Sequence, residues 1–138
     1  MSTLQRKVGF IMKNFIFEHF NRDGFITPKR AFEIYGDFPI SVYVDALAQF
    51  SVIEDGEKLT HREICLKHIS RYGDISQMEA THVYEMLRLS AVIKNIRKLF
   101  KKENKWEIVS TDLPTSRGGK YSRYSIVAIN HQLDEKKQ

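Results

Sequence analysis

Gly24-Phe25-Ile26-Thr27-Pro28-Lys29-Arg30-Ala31-Phe32-Glu33-Ile34-Tyr35 is answered, 49 residues later and without a gap, by Gly73-Asp74-Ile75-Ser76-Gln77-Met78-Glu79-Ala80-Thr81-His82-Val83-Tyr84. Glycine, isoleucine, a hydroxyl residue, alanine, a β-branched residue and tyrosine fall at matching places in both stretches. The same offset runs on through Phe38/Leu87, Ile40/Leu89, Ser41/Ser90, Val44/Ile93, Leu47/Ile96 and Phe50/Leu99. Self-similarity at a fixed offset predicts a duplicated structural unit. Each copy reads as a short strand, a helix, a turn and a second helix. The two copies share apolar positions and differ in charge.

Working outward, Val8, Ile11, Met12, Phe15, Ile16 and Phe20 recur near the helical period, so Leu4–Phe20 is a predicted helix, ended by Asn21-Arg22-Asp23-Gly24. Phe25-Ile26 reads as a minimal strand. Thr27 caps a helix with Pro28 at its first position, and Gly36 stops it. Ile40–Phe50 forms the next helix. Ser51–Glu54 and Glu57–Thr60 flank Asp55-Gly56, a two-residue hairpin signal. In the second copy, Thr60 with Glu63 makes a capping box for a helix to Tyr72, and Ser76 with Glu79 makes another for a helix to Leu87. Ser90 is placed to cap a long helix to Glu103, with Asn104 as its left-handed terminator. Trp106–Thr111 and Tyr121–Ile129 are predicted strands around the loop Asp112–Gly119.

A chain of 138 residues, 42% apolar and 12% aromatic, belongs with globular proteins. Its most apolar stretch, Val8–Phe20, is broken by Lys13, Asn14, Glu18 and His19, which argues against a signal peptide or a membrane span. The lone cysteine, Cys65, excludes an internal disulfide framework and fits a reducing, cytoplasmic setting. The net charge of +5 is unevenly spread. Residues 1–87 carry 10 Lys/Arg against 12 Asp/Glu, whereas residues 88–124 carry 10 against 3. A localised basic block beside an acidic remainder is the footprint of a protein that meets a polyanion.

Helix, short strand, helix, helix and hairpin, stated twice, is the order of the winged helix-turn-helix proteins. Residues 60–130 resemble that superfamily: Leu89-Ser90 followed by Val92, Ile93, Ile96 and Leu99 looks like its recognition helix, and Lys101–Trp106 like the exit into its wing. Arg117-Gly118-Gly119-Lys120-Tyr121-Ser122-Arg123-Tyr124 is similar to the Gly/Arg-rich wing of some phage and plasmid replication proteins. The chain departs from the family at Met86-Leu87-Arg88, where a glycine is usual. The resemblance implies a mainly α protein with small β-hairpins, an α+β fold of two winged helix-turn-helix units in tandem. They span residues 1–59 and 60–130, with a polar tail at 131–138.

Around the helix from Leu89 to Glu103, Val92, Ile93, Ile96, Leu99 and Phe100 gather on one side and Lys94, Lys98 and Lys101 on the other, flanked by Arg97 and Lys102. An apolar stripe backed by a cationic one suits a helix lying in the major groove of double-stranded DNA. Ser90 is small enough for close approach, and Asn95 or Arg97 has the geometry for bidentate base contacts. Arg117, Lys120, Tyr121 and Arg123 would set the wing along the DNA backbone. The equivalent helix of the first copy has no Lys or Arg, with Ser41, Val42, Asp45, Ala48 and Gln49 as its outward positions. That copy reads as a scaffold: a homodimer contact, a docking site for a protein partner, or an extension of the second copy's core.

Other constellations lead elsewhere and fail on chemistry. His19–Arg30 imitates a calcium loop, but a histidine stands first and an arginine where the chelating glutamate belongs. His61, Cys65 and His68 share a helix face, without a fourth zinc ligand or a group to orient a nucleophile, and read as a buried cysteine beside two partly exposed histidines. The expectation is therefore a non-enzymatic protein with no cofactor and no metal. It reads as a sequence-specific DNA-binding protein and transcriptional regulator. The alternatives are a replication-initiation or plasmid-maintenance protein and, in another class, a protein-interaction module inhibiting a nucleic-acid enzyme.

Overall fold

The computed structural model describes residues 3–115 and 117–129, so the tail 131–138 and Ser116 of the hairpin loop lie outside the described residues. The chain forms two compact units divided between Glu54 and Asp55. The division falls a little before residue 59 because the linking residues belong to the second unit. The Glu57 carboxylate accepts from Lys67 Nζ at 3.0 Å, and Leu59 packs on the second core.

The first unit holds three helices: α1 (Thr3–Asp23), α2 (Pro28–Tyr35) and α3 (Ile40–Phe50). Thr27 caps α2 by accepting from the Arg30 amide, with Pro28 pre-set at the first position. Gly36, at φ 82°, ends the helix where a side chain would be strained. Phe20 anchors the core, with its ring 5.1 Å from Phe50 and edge-on to Tyr43; Ile16, Ala31 and Ala46 are fully buried around it. No described residue of this unit or of the link 55–60 is in a strand, which corrects three expectations. Phe25-Ile26 has no partner strand, and the Ile26 carbonyl instead accepts from the Tyr43 hydroxyl at 2.9 Å. Ser51–Glu54 and Glu57–Thr60 stay unpaired around the Asp55-Gly56 turn, with Val52 buried and Leu59 packed on the second core instead. The first copy therefore has no wing.

The second unit contains α4 (His61–Tyr72), β1 (Ile75–Ser76), α5 (Gln77–Tyr84), α6 (Leu89–Glu103), β2 (Trp106–Pro114) and β3 (Lys120–Ala128). The whole molecule is thus an α+β protein, rich in helix, with one small antiparallel sheet. Its strand order is β1-β3-β2. β2 and β3 pair from Trp106↔Ala128 to Pro114↔Lys120, and β1 adds Ile75↔Tyr124 and Ser76↔Arg123 to the free edge of β3. Ile64, Cys65, Ile69, Ile75, Leu89, Ile93, Ile96 and Ile108 fill the core between the helices and this sheet. Thr60 and Glu63 form the expected reciprocal capping box on α4.

Three local expectations change. The helix α5 ends at Tyr84, because Glu85 takes the left-handed conformation (φ 56°) that a glycine would otherwise supply. Ser90 does not cap α6; Arg88 holds that place without a side-chain bond, and Gln77 Oε1 accepts from the Leu89 amide at 2.9 Å instead. Ser76 caps α5, but Glu79 turns its carboxylate inward rather than closing a second box. Asn104 ends α6 in the left-handed conformation, as its position foretold.

The 49-residue repeat is correct through the second helix and fails in the third. Ile16/Cys65, Phe20/Ile69 and Ala31/Ala80 are buried in pairs. Ile40 and Val44, however, are 55% and 53% exposed, where Leu89 and Ile93 are 1% exposed. In α3 the buried side chains are Val42, Tyr43, Ala46 and Phe50. Their counterparts Val92, Ile93, Ile96 and Phe100 lie 50 residues on, on the core-facing side of α6. Both copies place four residues before the third helix, so it is the buried face that shifts by one residue between α3 and α6, a turn of about 100°.

Candidate nucleic-acid interface

The helix α6 is amphipathic in the literal sense. Leu89, Ile93 and Ile96 are buried, while Ser90, Ala91, Lys94, Asn95, Lys98, Lys101 and Lys102 are exposed. Lys101 and Lys102 occupy the last turn, where the helix dipole favours cations. Part of this charge is therefore helix chemistry, but Lys94 and Lys98 lie too far from the end for that account. Arg117 and Lys120 are exposed at the hairpin tip. The tip is closed by the Thr115 amide on the Gly119 carbonyl (2.8 Å) and by Gly118 at φ 82°. Lys94, Lys98, Lys101, Lys102, Arg117 and Lys120 enter no ion pair among the described residues.

Two expected contact residues have partners within the second unit. Arg97 donates from Nη2 to the Ile108 carbonyl at 3.3 Å and lies over the Tyr124 ring, which ties α6 to the hairpin. Arg123 is mostly buried and bonds Asp74 Oδ1 at 2.6 Å and Glu79 Oε1. Burial opposes its charge, but the hydrogen bond to Asp74 and the nearby Glu79 carboxylate outweigh that and raise its pKa above the ordinary value. The Arg123 guanidinium is not presented outward as the sequence suggested, whereas Arg97 keeps an exposed side chain beside its bond to Ile108. Arg88 and Lys105, exposed just outside the two ends of α6, are further cations that the helical stripe does not include.

Beside the start of α6 is a cavity of about 250 Å³ lined by Ser76, Gln77, Met78, Leu89, Ser90, Tyr121, Ser122 and Tyr124. It brings Ser90 and Tyr121 together from elements remote in sequence. Tyr124 is half-buried and packs on the core of the hairpin side.

Behind this surface is a buried polar cluster. Glu79 Oε2 accepts from His68 Nε2 at 2.8 Å, Glu79 Oε1 meets Ser76 Oγ at 3.1 Å and Arg123, and His68 Nδ1 meets the Tyr84 hydroxyl at 2.5 Å. His68 is fully buried, not partly exposed as expected, and only His61 faces solvent. Cys65 and His68, three residues apart, lie on the same buried face of α4. Burial pushes the Cys65 thiol up to about 12, and its Sγ lies 3.7 Å from Met86 Sδ. A protonated thiol among apolar neighbours is a poor nucleophile and a poor zinc ligand. Among the described residues, no three His, Cys, Asp or Glu side chains converge on a metal position.

The first unit repeats part of this cluster. His19 Nδ1 lies 2.9 Å from the Tyr35 hydroxyl, at the same separation in sequence as His68 from Tyr84. Burial lowers the His19 pKa, with Asp23 opposing. The position matching Glu79 is Arg30, exposed and paired with Glu33. On the third helix, alignment by burial sets Lys94 and Lys98 against Val44 and Ala48. Val42, expected outward, is 7% exposed.

No protein-family model, curated protein or solved structure matches this chain. No helix among the described residues is long and apolar enough to cross a membrane.

Proposed function

We propose that the second unit binds duplex DNA, with α6 in the major groove and the β2–β3 hairpin against the backbone, in the manner of a winged helix-turn-helix protein. The observation that carries this reading is the row of exposed lysines, Lys94, Lys98 and Lys101, on the side of α6 opposite Ile93 and Ile96. Arg117 and Lys120 extend it at the hairpin tip. The antiparallel order β1-β3-β2 behind the helices supports it. Asn95 is exposed on α6 and suited to a bidentate contact with adenine, and Arg97, also exposed, has one bond to the Ile108 carbonyl. The first unit, without cations on its third helix, stands off the backbone. Regulation of transcription is the use we assign.

Six phosphate contacts would make log K fall against log salt with a slope of about −5. Lys94→Glu with Lys98→Glu removes two, so affinity for duplex DNA should drop at least tenfold and the slope should lessen by about two. Fluorescence anisotropy across a salt series reads both. Unchanged affinity and slope would refute the assignment and favour an acidic protein partner for the same face.

A further inference from the structure

We propose that the outer side of α1 is a contact between two copies of this chain, paired about a two-fold axis with the helices antiparallel. This goes beyond DNA binding and does not depend on it.

Val8, Ile11 and Phe15 are 52%, 49% and 53% exposed. Their spacing of three and then four residues puts them in one stripe, the seam spacing of paired helices. Phe15 is stacked on Tyr35 of α2, whose neighbour Ile34 is 41% exposed. The buried side of α1, marked by Ile16 and Phe20, is a separate face that meets α3. Large apolar side chains gathered on one face of a small unit mark an interaction surface.

Charge selects the occupant. Lys7 and Glu18 stand eleven residues apart, which is three helical turns within about 20°, so both flank the same edge of the stripe. They are about 16 Å apart along the axis, too far to bridge within one helix. Running a second copy antiparallel brings Lys7 against the other copy's Glu18, and Glu18 against its Lys7, with Ile11 near the axis. A parallel pair would set this edge against the opposite flank, where Met12 and His19 stand, and neither charge would be met. An isologous contact must be self-complementary, and this edge is. With only a few apolar anchors on each side, association is expected in the micromolar range.

Sedimentation of the full chain tests the pairing. The wild-type protein should show a monomer–dimer equilibrium. Lys7→Glu alone or Glu18→Lys alone should weaken it at least tenfold, each placing like charges opposite one another. An equimolar mixture of the two variants should recover association near the wild-type level, because the mixed pair has opposite charges at both contacts. Ile11→Glu, which spoils the seam without touching the charges, should abolish it, and circular dichroism should show wild-type helix content throughout. A wild-type chain that stays monomeric at several hundred micromolar overturns the proposal. So does a mixture that associates no better than either variant alone, or an Ile11→Glu chain that still pairs.

Discussion

Glu79 shows how far a residue's role can lie from its local pattern. Three residues after Ser76 it resembles half of a capping box, yet its carboxylate is buried and divided among His68, Ser76 and Arg123. The partners that draw it inward come from α4 and β3, one of them 44 residues away, and no local window contains them. The same distance hid the fate of Arg123, which looked like a wing cation and is a tie between sheet and helix. By contrast, Lys94, Lys98, Arg117 and Lys120 were legible because a cation without a buried partner must remain in water. Removing Glu79 strips the buried His68 Nε2 of its carboxylate and leaves Arg123 with Asp74 alone. Glu79→Ala should therefore destabilise the second unit by about 3–5 kcal/mol. Trp106, the only tryptophan and a β2 residue, makes urea unfolding followed by its fluorescence a direct measurement. A loss below 1 kcal/mol would mean that the cluster is not an energetic unit.

The elements were read well where local chemistry settles them. Helices α2 and α4 begin and end, and α6 ends, at residues with a physical reason to be there: Thr27, Thr60, Gly36, Gly73 and Asn104. Strands were read well only where a partner existed. Ile75-Ser76 became β1 because β3 offers it an edge, while Phe25-Ile26 has no such neighbour. The turn before α6 was the other hard case. Without glycine, Glu85 adopts φ 56°, a conformation that costs a side-chain-bearing residue about 1–2 kcal/mol. Its backbone amide still closes the helix onto the Thr81 carbonyl. Glu85→Gly should relieve most of that strain and raise stability by about 1 kcal/mol, after the entropy that glycine adds to the unfolded chain. The urea midpoint should rise with an unchanged slope; a fall would show that the Glu85 side chain has a compensating contact.

At the scale of the molecule, each unit has its own aromatic or aliphatic core, and the basic charge belongs to one of them. That asymmetry was plain in the sequence, because charge counts do not require a fold. A fragment of residues 55–138 should consequently fold by itself and retain the DNA affinity of the full chain within about threefold under conditions where the chain is monomeric. Two-dimensional NMR and anisotropy measure the two parts of that statement. A fragment that folds but loses most of its affinity would place phosphate contacts in the first unit after all.

The one-residue shift of the buried face in the third helix has a practical meaning for interchangeability. The two copies look like matching cassettes, but α6 cannot be transplanted into the first unit by counting back 49 positions. Such a graft would seat Asn95 at the fully buried place of Ala46 and Lys101 at that of Val52, and would leave Ile93 in solvent at the place of Val44. Cut one residue differently, the same segment would put Ile93 and Ile96 where Tyr43 and Ala46 now pack. What descends unchanged in this pair is the socket, and any exchange of parts has to be indexed to it.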